Sequence, residues 1–250
     1  MTDWLKYEWE WNEREAVFQV DMQYWELLPT LAYSQLVFVS VAPREPESIA
    51  FSRAEERRAN ALQHLLAEQI EDAAIFVGGI GMKDLIQFYF YTSDDALIHR
   101  VSAICRAETK LRVTCGHVAE PDYATYYCLL FPDDAKLQSV ENAAFIRSVQ
   151  HRDGDLNLIR RIHLTMAFVS EEACDAFVSE IPRLGFTAGG RESIGNTTHP
   201  YRIELNGFST LKLSDLNRCT ARAINGALPY GGVLDHLNAE FINRHCSARK

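Results

Sequence analysis

The sequence contains no long hydrophobic run. None of its apolar stretches approaches the ~20 residues that a membrane-spanning helix requires. The N-terminal stretch MTDWLKYEWEWNERE is charged throughout and lacks the apolar core of a secretory signal peptide. These two absences predict a cytoplasmic protein with no membrane contact. In that reducing compartment we expect free thiols rather than disulfides at the six cysteines, which are Cys105, Cys115, Cys128, Cys174, Cys219 and Cys246.

The sequence also lacks the motifs of common metal and phosphate sites. It has no CxxC, HxxxH or HExxH pair, so Cys115-Gly116-His117 has no partner at zinc-ligand spacing and is predicted to be a strand end. Gly78-Gly79-Ile80-Gly81-Met82-Lys83 lacks the P-loop spacing and stands between two strands, which favours a hairpin turn over a phosphate cradle. No nucleophile signature surrounds any Cys or His, although a catalytic Cys–His pair stays an open alternative. The sequence therefore assigns no catalytic, cofactor-binding or metal-binding residue and no cofactor, and the binding residues stay unknown.

The negative charge lies in one half of the chain. The net charge is −9, and residues 1–132 hold 20 acidic against 11 basic side chains, whereas residues 133–250 hold 14 of each. An acidic half does not attract nucleic acid by releasing counterions, so direct DNA or RNA binding is disfavoured. Solubility is the simplest role for this charge. The uneven distribution supports a division into two domains, 1–132 and 133–250.

What the sequence does contain is the composition of a folded protein. Hydrophobic residues make up 47% and charged residues 24% of the 250 positions. In the first half, Trp4–Met22 alternates as a β-hairpin that turns at Asn12-Glu13, and Ser52 is placed to cap a helix over Arg53–Glu71. The other predicted elements of this half are strands at Leu36–Val41 and Ala74–Val77, a turn at Gly78–Gly81, a strand at Leu85–Thr92, a helix from Asp94 to Glu108, and strands at Lys110–Cys115 and Asp122–Phe131.

The second half is organised around His151–Phe186. Asp153-Gly154-Asp155 is a turn signal, and the strand Ile159–Val169 follows it with apolar side chains at period two. Ser170 is placed to cap a helix over Glu171–Leu184, which Gly185 ends. The other predicted elements are a helix at Ala135–Gln150, a strand near Phe186–Ala188, a loop over Gly189–His199, a strand at Tyr201–Leu205, a helix at Asp215–Leu228, a turn at Pro229–Gly232, and a strand or short helix at Val233–Phe241.

Each half therefore shows the order strand, helix, two strands, helix, strand. Two right-handed crossovers of this kind fold into a four-stranded antiparallel sheet with both helices on one face. The sequence predicts an α+β protein of two tandem ferredoxin-like sandwich domains with antiparallel sheets. Each domain is long enough to bury its own core.

Several acidic and histidine side chains have a structural interpretation that is simpler than a chemical one. His163 lies within the Ile159–Val169 strand, which favours a place on the sheet face or in the core. Asp153 and Asp155 bracket a glycine, and this favours turn formation over a pair of acid–base carboxylates. Asp84 and Asp94-Asp95 stand at loop or helix starts and receive the same interpretation.

Two further groups could bind nucleic acid or a partner. Phe88-Tyr89-Phe90-Tyr91 is similar to the stacking platform of an RNA-binding sheet, but both faces of that strand are aromatic and the domain is acidic, so packing is favoured. The basic residues near the turn of the second half could meet an acidic partner or an RNA backbone, and pairing with Asp153 and Asp155 is the simpler account. These basic residues are Arg147, Arg152, Arg160 and Arg161.

Residues 135–245 resemble the family of the regulator of ribonuclease activity B. The features that carry the resemblance are Asp153-Gly154-Asp155, the strand with His163 and Phe168, the helix Glu171–Leu184 with its exit Gly185-Phe186, and Gly231-Gly232 with Asp235. The first half resembles an uncharacterised domain family often fused ahead of that one, through its Trp-rich opening, the strand LVFVSVAP, the long Glu/Arg helix and the FYFY strand. The resemblance implies a ferredoxin-like fold and a protein that binds and inhibits the endoribonuclease E rather than an enzyme.

The sequence favours a non-catalytic cytoplasmic binding or regulatory protein that acts through protein–protein contact. An enzyme or a small-ligand-binding protein with its site in the cleft between the domains is the alternative. A homo-oligomer that pairs through exposed sheet edges or faces is a third hypothesis.

Overall fold

The structure, a computed structural model, describes residues 3–153, 155–195 and 197–240, with the backbone alone at 151–153. The chain divides after Pro132 into two compact units. Each combines helices with one antiparallel sheet, of six strands in unit 1 and four in unit 2. The predicted α+β class with antiparallel sheets is confirmed, and the ferredoxin-like assignment stays a prediction. None of the helices in these ranges is long and apolar enough to cross a membrane.

Unit 1, as far as the structure describes it, contains six strands, three α-helices and a π-helix. In chain order these are β1 (Trp4–Trp11), β2 (Arg14–Asp21), α1 (Tyr24–Leu31), β3 (Gln35–Ala42), α2 (Arg53–Gln69), β4 (Ala74–Gly81), β5 (Ile86–Thr92), α3 (Leu97–Ala107), β6 (Arg112–Ala119) and the π-helix (Thr125–Leu130). The strands pair in the order β1-β2-β4-β5-β3-β6. The predicted order of elements is therefore present from β3 to β6, and the β1–β2 hairpin extends the sheet beyond β4. Helix α1 was not predicted.

Local sequence signals fix the ends of two elements as predicted. The hairpin turns at Asn12 and Glu13, whose φ angles are 51° and 61°, and positive φ at both positions suits a two-residue turn. At the start of α2, the Ser52 hydroxyl accepts a hydrogen bond from the Glu55 N–H at 3.3 Å, while the Glu55 carboxylate accepts one from the Ser52 N–H at 2.9 Å. This reciprocal capping box satisfies two backbone donors of the first turn.

The core of unit 1 lies between one face of the sheet and the helices α2 and α3. Val37, Val39 and Phe90 point to this face from β3 and β5. They join Leu66 of α2 and Val101 of α3 in one cluster, and all five are at most 1% exposed. Because successive strand residues point to opposite faces, the intervening side chains lie on the other side of the sheet.

That other side is covered by the π-helix, so the strand predicted over Asp122–Phe131 is wrong. Tyr123, Tyr126 and Leu130 recur at helical spacing, and the last two are fully buried. The Phe131 N–H donates to the Tyr126 carbonyl oxygen at 2.8 Å, which is the i to i+5 bond of a π-helix. The aromatic run therefore forms a short helical cover over β2 and β4 instead of another strand.

The turn predicted at Gly78–Gly81 is also wrong, because β4 continues through these glycines. The turn follows them, where the Met82 N–H donates to the Leu85 carbonyl oxygen at 2.7 Å. Gly78 has φ 153° at a register shift in the β4–β5 ladder. A Cβ at Gly78 would lie 2.3 Å from the Gln19 carbonyl oxygen of β2. Glycine is needed here for close approach of two strands, not for a phosphate cradle.

Cys115-Gly116-His117 lies inside β6 rather than at a strand end. The strand runs on to Ala119 and pairs with β3 along its whole length. A Cβ at Gly116 would lie 2.5 Å from the Phe38 ring, so this glycine makes room for an aromatic side chain. Cys115 packs against the core beside Cys105, and His117 is exposed.

Unit 2, within the described ranges, contains four strands, three α-helices and a 3₁₀ turn. They are α4 (Asp134–Asp153), β7 (Arg160–Phe168), α5 (Glu171–Val178), β8 (Thr187–Ser193), β9 (Tyr201–Ser209), α6 (Leu213–Ala227), the 3₁₀ turn (Leu228–Tyr230) and β10 (Val233–Ala239). The strand order is β10-β7-β9-β8. From β7 to β10 the elements follow the predicted order, and the last one is a strand. Phe241, the end of that predicted segment, lies outside the described residues.

The helix start of the organising stretch is confirmed, and its end is shorter than predicted. The Ala173 N–H donates to the Ser170 hydroxyl at 3.2 Å, as expected of an N-cap. Helix α5 ends at Val178, and turns lead from there to Gly185, which has φ 78°. A left-handed glycine at this exit is what the sequence predicted.

The structure corrects the loop predicted over Gly189–His199 and describes part of the turn predicted at Asp153-Gly154-Asp155. Residues 189–193 were predicted as loop but belong to β8, because pairing with β9 outweighs the low strand propensity of two glycines. Asp153 is the last residue of α4, and Gly154 lies outside the described residues. The Asp155 carboxylate accepts a hydrogen bond from the Asn157 N–H at 3.0 Å, which is the turn chemistry expected of it.

The core of unit 2 lies on one face of its sheet under α5 and α6. Ile162, Leu164 and Met166 point to it from β7, and Phe177 of α5 and Ala223 of α6 pack on them. All five are fully buried. Side chains that alternate with these β7 residues point to the opposite face.

Helix α4 packs on α6 through a buried polar contact. Asn142 donates from Nδ2 to Asn217 Oδ1 and to Thr220 Oγ1, both at 2.9 Å. Because a buried amide is costly without partners, this contact fixes how the two helices align.

Candidate functional site

The face of the four-stranded sheet opposite α5 and α6 carries polar and charged side chains that remain accessible. The exposed fraction is 49% for Arg161, 28% for His163 and 38% for Glu204, and Phe208 is 67% exposed. We call this surface the open face. Its residues are Arg161 and His163 from β7, Arg202, Glu204 and Phe208 from β9, Asp235 from β10, and Glu240 just after β10.

The strand register brings these residues together. Arg161 stands directly opposite Phe208 in the β7–β9 ladder, and its guanidinium carbon lies 6.0 Å from the centre of that ring. His163 and Glu204 are diagonal neighbours across the same two strands. Diagonal pairs of long side chains reach one another on an antiparallel sheet, which places a hydrogen-bonded histidine–glutamate pair in the middle of the face.

His163 lies between two carboxylates. Its Nδ1 is 2.8 Å from Glu204 Oε1, and its Nε2 is 3.6 Å from Glu240 Oε1. Because a carboxylate only accepts, the Nδ1–H donates to Glu204, which fixes the orientation of the ring. Glu240 Oε1 is also 3.4 Å from Arg161 Nη1. Arg161, Glu240, His163 and Glu204 thus form a continuous chain of charged and polar contacts.

A second set of ion pairs lies elsewhere on the open face. Arg202 Nη2 is 3.2 Å from the Asp235 carboxylate, and Arg202 Nη1 is 3.8 Å from Glu192 Oε1 of β8. Its Nε is buried without a hydrogen-bond partner among the described residues. Arg202 therefore links β8, β9 and β10 across the sheet.

A shallow hollow of about 600 Å³ lies at the Arg161–Phe208 end of the face. The segment that leads from α5 into β8 contributes Phe186 and Thr187 to its lining, and β9 contributes Asn206. The hollow therefore joins an aromatic ring, a guanidinium and an amide. Its full lining is Arg161, Gly185, Phe186, Thr187, Asn206, Gly207 and Phe208.

The arrangement is suited to recognition by surface contact. Its charges are paired across the strands of the sheet, are partly accessible, and stand beside one exposed aromatic ring. Arginine and aromatic side chains are the residue types that contribute most to binding at protein interfaces. Within the described ranges, no group of three or more His, Cys, Asp or Glu side chains is positioned to hold a metal ion.

The four predicted basic residues do not share one site. Arg161 lies on the open face, whereas Arg147 is exposed on α4 and the side chain of Arg152 lies outside the described residues. Arg160 is only 3% exposed and donates from Nη2 to the Asp155 carbonyl oxygen at 2.7 Å. Burial lowers the pKa of Arg160 below its usual value. This arginine therefore anchors the chain before β7 and does not present a surface charge.

The FYFY strand is not a stacking platform. Phe88, Tyr89, Phe90 and Tyr91 are at most 6% exposed. Burial, together with the charge of Glu120, raises the pKa of Tyr89 to about 12 and raises that of Tyr91 as well. Both hydroxyls are therefore protonated at neutral pH, and the Tyr91 hydroxyl donates to the Glu120 carboxylate.

Residues that carry the family resemblance have identifiable structural roles. Phe168 is fully buried, and a Cβ at Gly232 would lie 2.3 Å from its ring. Gly231 has φ 65° at the end of the 3₁₀ turn. Asp235 is the partner of Arg202 on the open face. Three of these positions hold the fold, and one belongs to the candidate site.

Most of the open face was not predicted from the sequence. The strand predicted at Tyr201–Leu205 is too short, although Arg202, Glu204 and Phe208 lie at alternate positions of the β9 sequence YRIELNGFS. That alternation of exposed and buried residues is a period-two signal for a half-buried strand. It would have predicted the face but not its partners on β7 and β10, which are distant in the sequence.

A family model described as a family of unknown function, DUF695, matches residues 2–131. No curated protein matches the sequence. An unknown protein from Galdieria sulphuraria, known from its crystal structure, is 10% identical; the match covers 83% of this chain and 99% of that chain, with a TM-score of 0.23. A putative glycine cleavage system transcriptional repressor, also known from its crystal structure, is 10% identical over 83% of this chain and 98% of that chain, with a TM-score of 0.22.

Proposed function

We propose that this chain, which belongs to the DUF695 family of unknown function through residues 2–131, is a non-catalytic binding protein of the cytoplasm. It acts through protein–protein contact at the open face of unit 2. The observation that carries the proposal is the paired but accessible charge network around His163, with Phe208 exposed beside it.

The physical support is that one side of the four-stranded sheet is buried and the other is accessible to water. Helices α5 and α6 bury the apolar side, and the open face keeps Arg161, Glu204 and Glu240 between 38% and 54% exposed. A partner that covers these groups removes them from water and exchanges some of their mutual contacts for contacts with itself. Such a polar surface gives specificity and a fast, salt-sensitive association.

The endoribonuclease E is the first partner to test. The support for it is the resemblance of residues 135–245 to the family of the regulator of ribonuclease activity B, and the open face lies within that segment. Binding there would regulate the ribonuclease by occupying a surface of it, with no chemical step performed by this chain.

The experiment is equilibrium binding of the full purified chain to immobilised endoribonuclease E. We expect binding that weakens when salt rises from about 50 mM to about 200 mM. Salt screens the attraction between the partly exposed charges of the open face and the charges of the partner. The double variant Arg161→Glu/Phe208→Ser should bind at least about tenfold more weakly, since an interfacial arginine and an aromatic ring are both lost.

Arg147→Glu is the matched control, because Arg147 is an exposed arginine on α4 and not on the open face. It should bind like the unchanged chain. Equal weakening by both variants would point to non-specific charge attraction. No binding by the unchanged chain at low salt would remove the ribonuclease as partner.

A further inference from the structure

Unit 1 exposes an aromatic surface that the open face does not involve. Trp25 and Leu27 of α1 are 48% and 45% exposed. The Trp25 ring lies edge-on to Tyr127 of the π-helix, with centres 5.2 Å apart and planes at 80°, and it also packs on Phe131 at 4.1 Å. We call these four residues the aromatic corner.

The corner is held in place by hydrogen bonds. The Tyr127 hydroxyl donates to the Trp25 carbonyl oxygen at 2.8 Å, which joins the π-helix to α1. The neighbouring Tyr126 hydroxyl donates to the Asp21 carbonyl oxygen at 2.8 Å, just before α1. These hydrogen bonds and the ring contacts hold Trp25 in a fixed position in which it remains half-exposed to solvent. A large aromatic ring that is both fixed and half-exposed is typical of an interaction surface.

The segments that form the corner are acidic and contain no lysine or arginine. Residues 15–43 and 113–132 supply α1 and the π-helix, and neither stretch contains a basic side chain other than His117. Together they hold five carboxylates: Glu15 lies at the far end of β2 from α1, Asp21 is buried just before α1, and Glu26, Glu120 and Asp122 lie in α1 or shortly before the π-helix. Burial is the main cause of the raised pKa values of Tyr24 and Tyr91, and nearby carboxylates add to it: Asp21 for Tyr24, and Glu120 and Asp122 for Tyr91.

We propose that the aromatic corner is a docking site for a basic peptide segment, with a Lys or Arg side chain on the Trp25 ring. A cation over an indole face is attracted by the negative charge of the ring face. Glu26, which follows Trp25 on α1 and is exposed, supplies the opposite charge at the entrance. Further positive charges of the segment are drawn by the excess of acidic residues in unit 1.

The same charge disfavours other occupants. A second copy of this chain would bring two acidic corners together, and nucleic acid would be repelled by the carboxylates. Of these occupants, only a basic segment can both place a cation on the exposed ring and neutralise the excess negative charge. This surface belongs to unit 1 and the open face belongs to unit 2, so the proposal does not depend on the function proposed above.

The test uses the full chain and a fluorescein-labelled peptide of alternating arginine and glycine, with a glutamate–glycine peptide as the acidic comparison. Fluorescence anisotropy should show binding of the basic peptide alone. Trp25→Ala should weaken it by about fivefold or more, the size expected for loss of a cation–π contact with its packing. Trp4→Ala is the control, because Trp4 is another partly exposed tryptophan of unit 1, at 38%, and lies on β1.

A pair of charge reversals tests the position without removing a ring. Glu26→Lys and Glu68→Lys change the net charge equally, but Glu68 is exposed on α2. Only Glu26→Lys should weaken peptide binding by more than about twofold, beyond the general loss of attraction that both share. Equal effects of the two reversals, or equal binding by Trp25→Ala and the unchanged chain, would overturn the proposal.

Cys128 provides a direct footprint, because it is exposed next to Tyr127. Saturating basic peptide should slow alkylation of Cys128, measured by fragmentation mass spectrometry of the tryptic peptide 113–136, which distinguishes Cys128 from Cys115. An unchanged alkylation rate at saturation would contradict the location. Sedimentation of the unchanged chain and of Trp25→Ala completes the test: a dimer that only the unchanged chain forms would make a second copy the occupant and overturn the proposal.

Discussion

Burial decides which cysteine side chains are chemically available. Five of the six cysteines are described and all are free thiols. Burial and the neighbouring Cys115 raise the pKa of Cys105 to about 12, and burial also raises the pKa of Cys219. Since the thiolate is the reactive form, raised pKa values make buried thiols unreactive.

We expect iodoacetamide at pH 8 to modify Cys128 well before Cys105 or Cys219. The measurement is time-resolved mass spectrometry of the cysteine peptides, with the same reaction in strong denaturant as the control. In denaturant the three rates should become similar. Early modification of Cys105 in the folded chain would show that α3 does not bury this side chain in the core of unit 1.

A capping carboxylate links the stability of unit 1 to pH. Hydrogen bonds from the backbone of Arg44 and Ser52 hold the pKa of Glu55 below its usual value of about 4.5. A lowered pKa in the folded state means that Glu55 stabilises the fold above the unfolded pKa and loses this effect as pH falls through the folded pKa.

Glu55→Gln should therefore destabilise the chain at pH 7, and its difference from the unchanged chain should shrink below about pH 4. Urea unfolding at pH 7, 5 and 3 measures this. Glu56→Gln, one position further in the same first turn, is the control and should show a smaller difference at pH 7. A Glu55→Gln difference that is constant across the range would contradict the capping role.

At the scale of elements, the parts predicted correctly are those set by neighbours in the sequence. The Asn12-Glu13 turn and the Ser52 and Ser170 caps depend on residues within three or four positions, and local propensity was enough to find them. The π-helix was missed because an aromatic run of ten residues satisfies strand propensity as well as helical spacing. Tyr126 becomes helical because its hydroxyl and ring are used across the sheet, 105 positions from Asp21.

The glycines of β4 show how a distant strand overrides a local signal. Gly78-Gly79-Ile80-Gly81 has the composition of a turn, but β2 and β5 pair on either side of it and require small residues. Glycine in the interior of a strand can mark a close approach of another backbone. Only the structure shows which backbone that is.

Gly78→Ala should destabilise unit 1 by about 2 kcal/mol or more, because the added methyl group meets the Gln19 carbonyl oxygen at a strained φ. Gly190→Ala is the matched control in β8, where a Cβ meets nothing within 4 Å. It should change stability by about 0.5 kcal/mol or less. Chemical denaturation of both variants measures the difference, and equal values would contradict the strand assignment at Gly78.

At the scale of the whole molecule, the two units differ in net charge and in the kind of surface that they expose. The excess of acidic residues lies in unit 1, where the exposed aromatic corner is found, and unit 2 is balanced and carries ion pairs across an open sheet. The sequence predicted the two α+β units and this charge division. It did not predict the open face, because Arg161, Glu204 and Glu240 come from separate segments and meet only through strand order. The alternative of an enzyme or a small-ligand-binding protein stays a prediction.

The central claim is that partner binding occurs on the open face, and carboxyl footprinting tests it most directly. The full chain is labelled with a carbodiimide and an amine, with and without saturating endoribonuclease E, and each modified residue is quantified by mass spectrometry. We predict reduced labelling at Glu204, Glu240 and Asp235, and unchanged labelling at Glu171 and Glu172, which are exposed on α5. Protection of the α5 carboxylates with unchanged labelling of Glu204 and Glu240 would contradict the account.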